Sequence, residues 1–206
     1  MKKPIGLVFN GVWSQHLFAE ASEFKKAYEL VYIHDLADID LSGYQAVVVP
    51  FQSNGAAMHA HREQFLTYLA KGGFLALFGD HADGFLPDTQ WEERHVDNTW
   101  WKNRPDQPPI TWTDESHPLY GELAPRHRGW HHHGVYTQIP PGARVVQKSR
   151  ADEIVTWQTD QFGGLVFAST KDPIVEHGIR QIRHLHHYVQ AFTNWAWAGG
   201  EMPAHV

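Results

Sequence analysis

The stretch "FLALFGDHADGF", residues 74–85, decides the reading of this chain. Phe74–Phe78 is an apolar run with no polar alternation, the pattern of a strand buried on both faces of a parallel sheet. Gly79 follows, then Asp80, His81 and Asp83, and the stretch closes on Gly84 and Phe85. A buried strand thus delivers two carboxylates and an imidazole at its carboxyl end, between glycines that permit tight turns.

Working outward, the same kind of run recurs. Ile5–Phe9, Leu30–Ile33 and Ala46–Val49 read as further buried strands. Between them, His16–Tyr28 and Ala56–Lys71 carry apolar residues at helical spacing, the second ending at Gly72-Gly73. Strand–helix alternation with short connections predicts an open α/β sheet with right-handed crossovers. Residues 86–130 break the rhythm with Trp91, Trp100, Trp101, Trp112, Trp130 and many prolines. This is a long aromatic insertion, a binding wall or a cover for the sheet. Strands return at Val135–Ile139, Arg144–Gln147, Ile154–Trp157 and Leu165–Ala168, the last two flanking a turn signal at Asp160–Gly164. A long amphipathic helix through Ile179, Ile182, Leu185, Val189, Phe192 and Ala196 ends at Gly199-Gly200.

The 206 residues fit a single domain, 1–206, with 42% hydrophobic and 19% charged residues. A net charge of −6 does not invite nucleic acid or an anionic membrane. No apolar run has the length of a membrane span, and the N-terminus enters a strand without a signal peptide, so a cytoplasmic location is expected. The absence of cysteine excludes disulfides, thiolate metal sites and a cysteine nucleophile. The 16 histidines are an excess, most of them read as surface or packing residues.

In an open parallel sheet, ligands bind beyond the carboxyl ends of the strands. The residues that fall there are the candidates for chemistry. His81, His16, Asp80 and Asp83 form the catalytic set: an imidazole between carboxylates can be held in one tautomer to move a proton, or can join them around a divalent cation. Asp80 could equally cap a following helix. Asn10, Trp13, Gln52, Asn54, Asp172, Glu176 and His177 follow strand ends or open the last helix and are candidates for binding substrate. Trp100 and Trp101 of the insertion could stack on its apolar face. His131 and His133 would share one face of a strand, a metal fragment lacking a third ligand. His184 and His187, one helical turn apart, read as a solvated face, and His117 as packing or capping beside Pro118.

Several motifs carry a resemblance. "VTWQTDQFGGLVFASTKDP" (155–173) with "GIRQIRHLHHYVQAFTNWAWAG" (178–199) is similar to the ending of proteins related to the trehalose-utilization protein ThuA. "KGGFLALFGDHADGF" (71–85) resembles their Gly-Gly strand ending in His and an acidic residue. "SHPLYGEL" (116–123) resembles their His-Pro element, and His16 stands where their first loop often has a histidine. The His131–His133 run and "EHGIRQIRHLHH" (176–187) lie outside that pattern. The resemblance implies the class I glutamine amidotransferase-like fold: a flavodoxin-like three-layer sandwich around a mostly parallel sheet. It implies a sugar or keto-sugar derivative as substrate. The turn at Gly79–Ala82 would stand where amidotransferases carry their cysteine, so glutamine hydrolysis through a thioester is excluded here. No organic cofactor is expected; a divalent metal (Zn, Mn or Ni) and a homodimer are. The alternative is a non-catalytic binding or regulatory domain on a degenerate amidotransferase-like shell.

Overall fold

The computed structural model describes residues 3–121, 123–180 and 182–200. In chain order the elements are β1 (Ile5–Phe9), α1 (Trp13–Glu20), β2 (Tyr28–Tyr32), β3 (Ala46–Val49), α2 (Gly55–Ala60), α3 (Arg62–Ala70) and β4 (Phe74–Phe78). There follow β5 (Gln90–Glu93), α4 (Trp100–Asn103), β6 (Ile110–Thr113), α5 (Pro118–Gly121), α6 (Pro125–Arg128), β7 (Gly134–Gln138), β8 (Arg144–Ser149), β9 (Ile154–Thr159) and β10 (Leu165–Ser169). The chain then runs through α7 (Pro173–Arg180) and α8 (Arg183–Trp197).

The strands form one sheet in the order β2-β1-β3-β4-β10-β9-β7-β5, with β8 pairing β9 and β6. The first five in that order are mutually parallel; β9 runs antiparallel to β10. The expected mostly parallel α/β sheet is therefore the observed one. Alternation along the strands divides the core in two. Leu7, Val48 and Ala76 face the cluster with Phe18, Leu185 and Phe192, whereas Val8, Val47 and Leu75 face the cluster with Phe65 and Leu69. Helices accordingly cover both faces.

Element boundaries depart from expectation in three places. The helix expected over His16–Tyr28 begins at Trp13 and ends at Glu20, because Ala21 turns extended (ψ 136°) and Tyr28 is recruited into β2 opposite Ile5. The helix over Ala56–Lys71 is two helices meeting at His61 (φ −101°, ψ 11°). The last helix is likewise split into α7 and α8, with Ile182 extended between them. The close packing of α7 on α1 has a sequence cause: a Cβ on Gly178 would stand 2.0 Å from the Ser14 carbonyl oxygen. The insertion at 86–130 is not only a cover. Its β5 and β6 extend the sheet beside β7 and β8. Among the described residues no helix is long and apolar enough to cross a membrane.

Candidate functional site

The carboxyl ends of β3, β4 and β10 lie side by side, and the turns leaving them are tight. Gly79, directly after β4, sits at φ +84°, and a Cβ there would meet the Phe51 ring at 2.5 Å. Only glycine fits both the backbone and the contact. Gln52, after β3, is a non-glycine residue at φ 67°, and its carbonyl accepts a hydrogen bond from Asn10 Nδ2 at 3.3 Å. Such conformations are costly and concentrate at functional sites.

Beyond β10 the chain is joined by residues 131–133. His133 donates its backbone N–H to the Thr170 carbonyl (3.0 Å), and His132 bridges Lys171 in antiparallel fashion. Extended backbone turns alternate side chains to opposite sides. His132 turns to the Gly134 carbonyl (Nδ1, 2.8 Å), while His131 and His133 both turn to Asp172. His131 Nε2 lies 3.0 Å from Asp172 Oδ1 and His133 Nε2 lies 3.2 Å from Oδ2. These atoms are close yet not aligned as hydrogen bonds: His131 Nε2, His133 Nε2 and Asp172 Oδ1 make none, and neither does His131 Nδ1. One ligand atom from each of the three residues falls within 4.8 Å of the others. Tetrahedral ligands about 2.0–2.1 Å from a zinc ion are about 3.3 Å apart. Each imidazole nitrogen thus stands from an Asp172 oxygen at nearly the separation that a metal imposes. Asp172 and His131 are buried, and His133 retains about a quarter of its exposure, its ring stacked on Phe51 (4.1 Å, 8°). Burial works to raise the Asp172 carboxyl, but His131 and His133 prevail and hold it below the usual carboxylate range.

From the sequence, His131 and His133 have no third partner, and Asp172 stands among the candidates for binding substrate. Asp172 belongs with His131 and His133, and the Thr170–His133 register that joins them is long-range. Phe51 was also missed; its only signal is its place at the end of the third strand.

His81 lies in the turn that follows β4. Its side chain is buried, Nδ1 stands 3.6 Å from Asp80 Oδ1, and Nε2 has no hydrogen-bond partner. Burial pushes its pKa down, against the opposing pull of the Asp80 charge and the Pro50 carbonyl. The neutral imidazole this favours is a proton acceptor. No helix follows Asp80, so it caps nothing; it is exposed. Asp83 accepts the backbone N–H of Trp91 at 2.9 Å, an anchor for the start of the insertion. His16 does not join His81. It stacks on Trp13 (5.3 Å) and lies beside Phe9 (6.3 Å), and Trp13 is two-thirds exposed.

Of the remaining candidates, Asn54 caps α2 by accepting the Ala57 N–H. Glu176 is half-buried in the first turn of α7. His177 meets Glu23 and His186 rather than the strand ends. Trp100 and Trp101 line a cavity of about 900 Å³ bordered largely by the insertion, together with Trp112, Arg126, Arg128 and, outside it, Arg150. The buried Trp130 ring lies 6.4 Å from Trp101 and 5.0 Å from His131. His117 caps as expected, accepting the Leu119 N–H on Nδ1.

No protein-family model and no curated protein matches the sequence. Solved structures do match the fold. A ThuA-like protein from Bacteroides uniformis superposes with a TM-score of 0.60 at 16% identity, over 95% of this chain and 93% of that one. A GMP synthase component from Thermoplasma acidophilum gives 0.63 at 11% identity, over 96% of both chains. An exo-β-1,4-mannosidase from Opitutaceae bacterium strain TAV5 gives 0.58 at 12% identity, over 96% of this chain but 36% of that enzyme. The chain has the class I glutamine amidotransferase-like fold, in the form also seen in ThuA-like proteins.

Proposed function

We propose that this chain is an enzyme of carbohydrate metabolism, acting on a sugar or keto-sugar derivative with a divalent cation at His131, His133 and Asp172. The observation that carries the reading is the convergence of those three side chains, with unused nitrogen and oxygen atoms, at the carboxyl end of β10. Two imidazoles and a carboxylate suit zinc, manganese or nickel. A bound cation would supply Lewis acidity toward a substrate oxygen. His81, neutral with Nε2 free of partners, is the acid–base group, and Asp80 orients it. Trp100 and Trp101 offer the aromatic faces on which sugars stack. A thioester route is closed, since the chain has no cysteine.

A second reading has its own support. The large cavity includes none of His81, His131, His133 or Asp172, and the mannosidase carries this fold as a minor part of its length. A non-catalytic module that binds sugars through the insertion fits both facts.

The two separate by experiment. Untagged protein is assayed for metal and screened against keto-sugars and disaccharides with and without Zn²⁺, Mn²⁺ or Ni²⁺. The enzyme reading expects metal-dependent turnover, lost in His133→Ala together with one equivalent of metal. His81→Ala should retain the metal and lose about a hundredfold or more in turnover. Sugar binding at the cavity without turnover, unchanged in His133→Ala, would establish the second reading instead.

A further inference from the structure

A second constellation lies away from the strand ends. Glu23 stands in the segment after α1, His177 on α7 and His186 on α8. His177 Nε2 and His186 Nδ1 are 3.3 Å apart, and His186 Nδ1 is 3.8 Å from Glu23 Oε1. One ligand atom from each residue lies within 4.8 Å of the others. Their surroundings fix them. The buried His177 ring is held edge-on by Phe18 (5.7 Å) and Phe24 (5.3 Å), and Phe24 also borders His186 at 6.0 Å. Ser22 Oγ donates to Glu23 Oε2 at 3.0 Å, leaving Oε1 turned toward the histidines. His177 Nδ1 is buried without a partner.

We infer that Glu23, His177 and His186 form a second divalent-cation site, separate from the one at β10. The 3.3 Å between two imidazole nitrogens is the separation of tetrahedral ligands about 2.0–2.1 Å from zinc. Without an ion, two ring nitrogens at that distance can share only one proton, in a single hydrogen bond. Two imidazoles with one carboxylate form a borderline donor set that suits Zn²⁺, or Co²⁺ as its spectroscopic substitute. The side chains of Glu23 and His186 are each more than a third exposed, which gives an ion a path in and a water the fourth position. The ion would tie three segments together in a chain that cannot form disulfides.

The test uses full-length untagged protein, titrated with Zn²⁺ by calorimetry and with Co²⁺ by visible absorption. His133→Ala should retain a Zn²⁺ equivalent at this site, and excess Zn²⁺, at about a hundredfold over Kd, should raise its melting temperature by about 5–10 °C. His133→Ala/His186→Ala should lose that equivalent, the shift and the Co²⁺ bands. Glu23→Gln, an exposed position that leaves the packed His177 ring untouched, should weaken binding at least tenfold. Stoichiometry and melting shift unchanged by His186→Ala would mean that scattered surface histidines take up the metal, and would overturn the inference. The outcome does not depend on the proposed function: the β10 site fails only if His133→Ala leaves the wild-type stoichiometry intact.

Discussion

Lys171 and Asp172 are consecutive, both buried, and opposite in what surrounds them. Lys171 enters a closed network. Nζ donates to Gln147 Oε1 (2.7 Å) and Tyr120 Oη (3.1 Å) and lies 4.0 Å over the Tyr188 ring, so each of its donors has somewhere to go. Gln147 Oε1 also accepts from Tyr120 and Thr156, and its Nε2 donates to Thr113 and to the Arg128 carbonyl. Burial pushes the Lys171 amine well below its ordinary pKa, which favours the neutral form in that network. Asp172 enters an open set, in which its Oδ1 and the nitrogens of His131 and His133 approach but do not bond. Burial alone therefore does not mark a functional residue. A satisfied polar group holds the fold; an unsatisfied one converging with others is available to a ligand.

The contrast is most exposed to failure at Lys171. Lys171→Ala should cost about 3–5 kcal/mol, since it opens a cavity and removes one donor each from the Gln147 and Tyr120 oxygens. Lys171→Met fills the space without the donors and should cost less than about 2 kcal/mol. Chemical denaturation measures both. If Lys171→Ala were nearly neutral, or if it abolished turnover while folding normally, the lysine would belong to the reactive centre and its contrast with Asp172 would collapse.

Much of the sheet was legible because its signal is local. Ile5–Phe9, Ala46–Val49 and Phe74–Phe78 are uniformly apolar, and each became a parallel strand. The breaks at Ala21, His61 and Ile182 were not, since tertiary packing overrides a continuous helical period: Tyr28 leaves the helix to pair with Ile5 and to bond Thr193 in the core. The site was half legible. His131 and His133 share a face as their spacing predicted, but Asp172 joins them through a long-range register, the backbone pairing of residues 132 and 133 with Lys171 and Thr170. His16 stacks on Trp13 because the two stand three residues apart on α1, whereas His177 meets His186 through the packing of α7 against α8, which no motif encodes.

Histidines sharpen the same comparison with pH. His117, fully buried like His131, has both ring nitrogens engaged: Nδ1 by the Leu119 N–H and Nε2 by Gln158 Oε1 at 2.6 Å. Burial pushes its pKa from 6.5 down to about 4. Between those values the unfolded chain takes up a proton that the native ring refuses, so stability falls as pH falls and is fully present above about 6.5. The loss at pH 4 is on the order of 3 kcal/mol. His117→Asn keeps an acceptor for the Leu119 amide, starts less stable at pH 7.5, and should show a flatter decline in melting temperature from pH 6.5 to 4.5. Parallel curves for the two proteins would show that His117 does not carry this pH dependence.

The smallest expected effect concerns the two carboxylates of the opening stretch, which repeat the contrast at the surface. Asp83 has a backbone partner, the Trp91 N–H at the start of β5; Asp80 has only the His81 ring, 3.6 Å away. Losing a single exposed hydrogen bond to a charged acceptor costs about 1 kcal/mol, whereas an exposed group without one costs within about 0.5 kcal/mol. Asp83→Ala should therefore lower stability by about 1 kcal/mol and speed amide exchange at Trp91, where the insertion joins the sheet. Asp80→Ala should leave stability and exchange unchanged, yet lower the pKa of His81 further, because the charge that supports its imidazolium is gone. Imidazole NMR titration reads that shift directly. If Asp80→Ala destabilises the fold and leaves the His81 titration untouched, then Asp80 is the structural carboxylate of the pair, and the strand ends in acid for the sake of its turn.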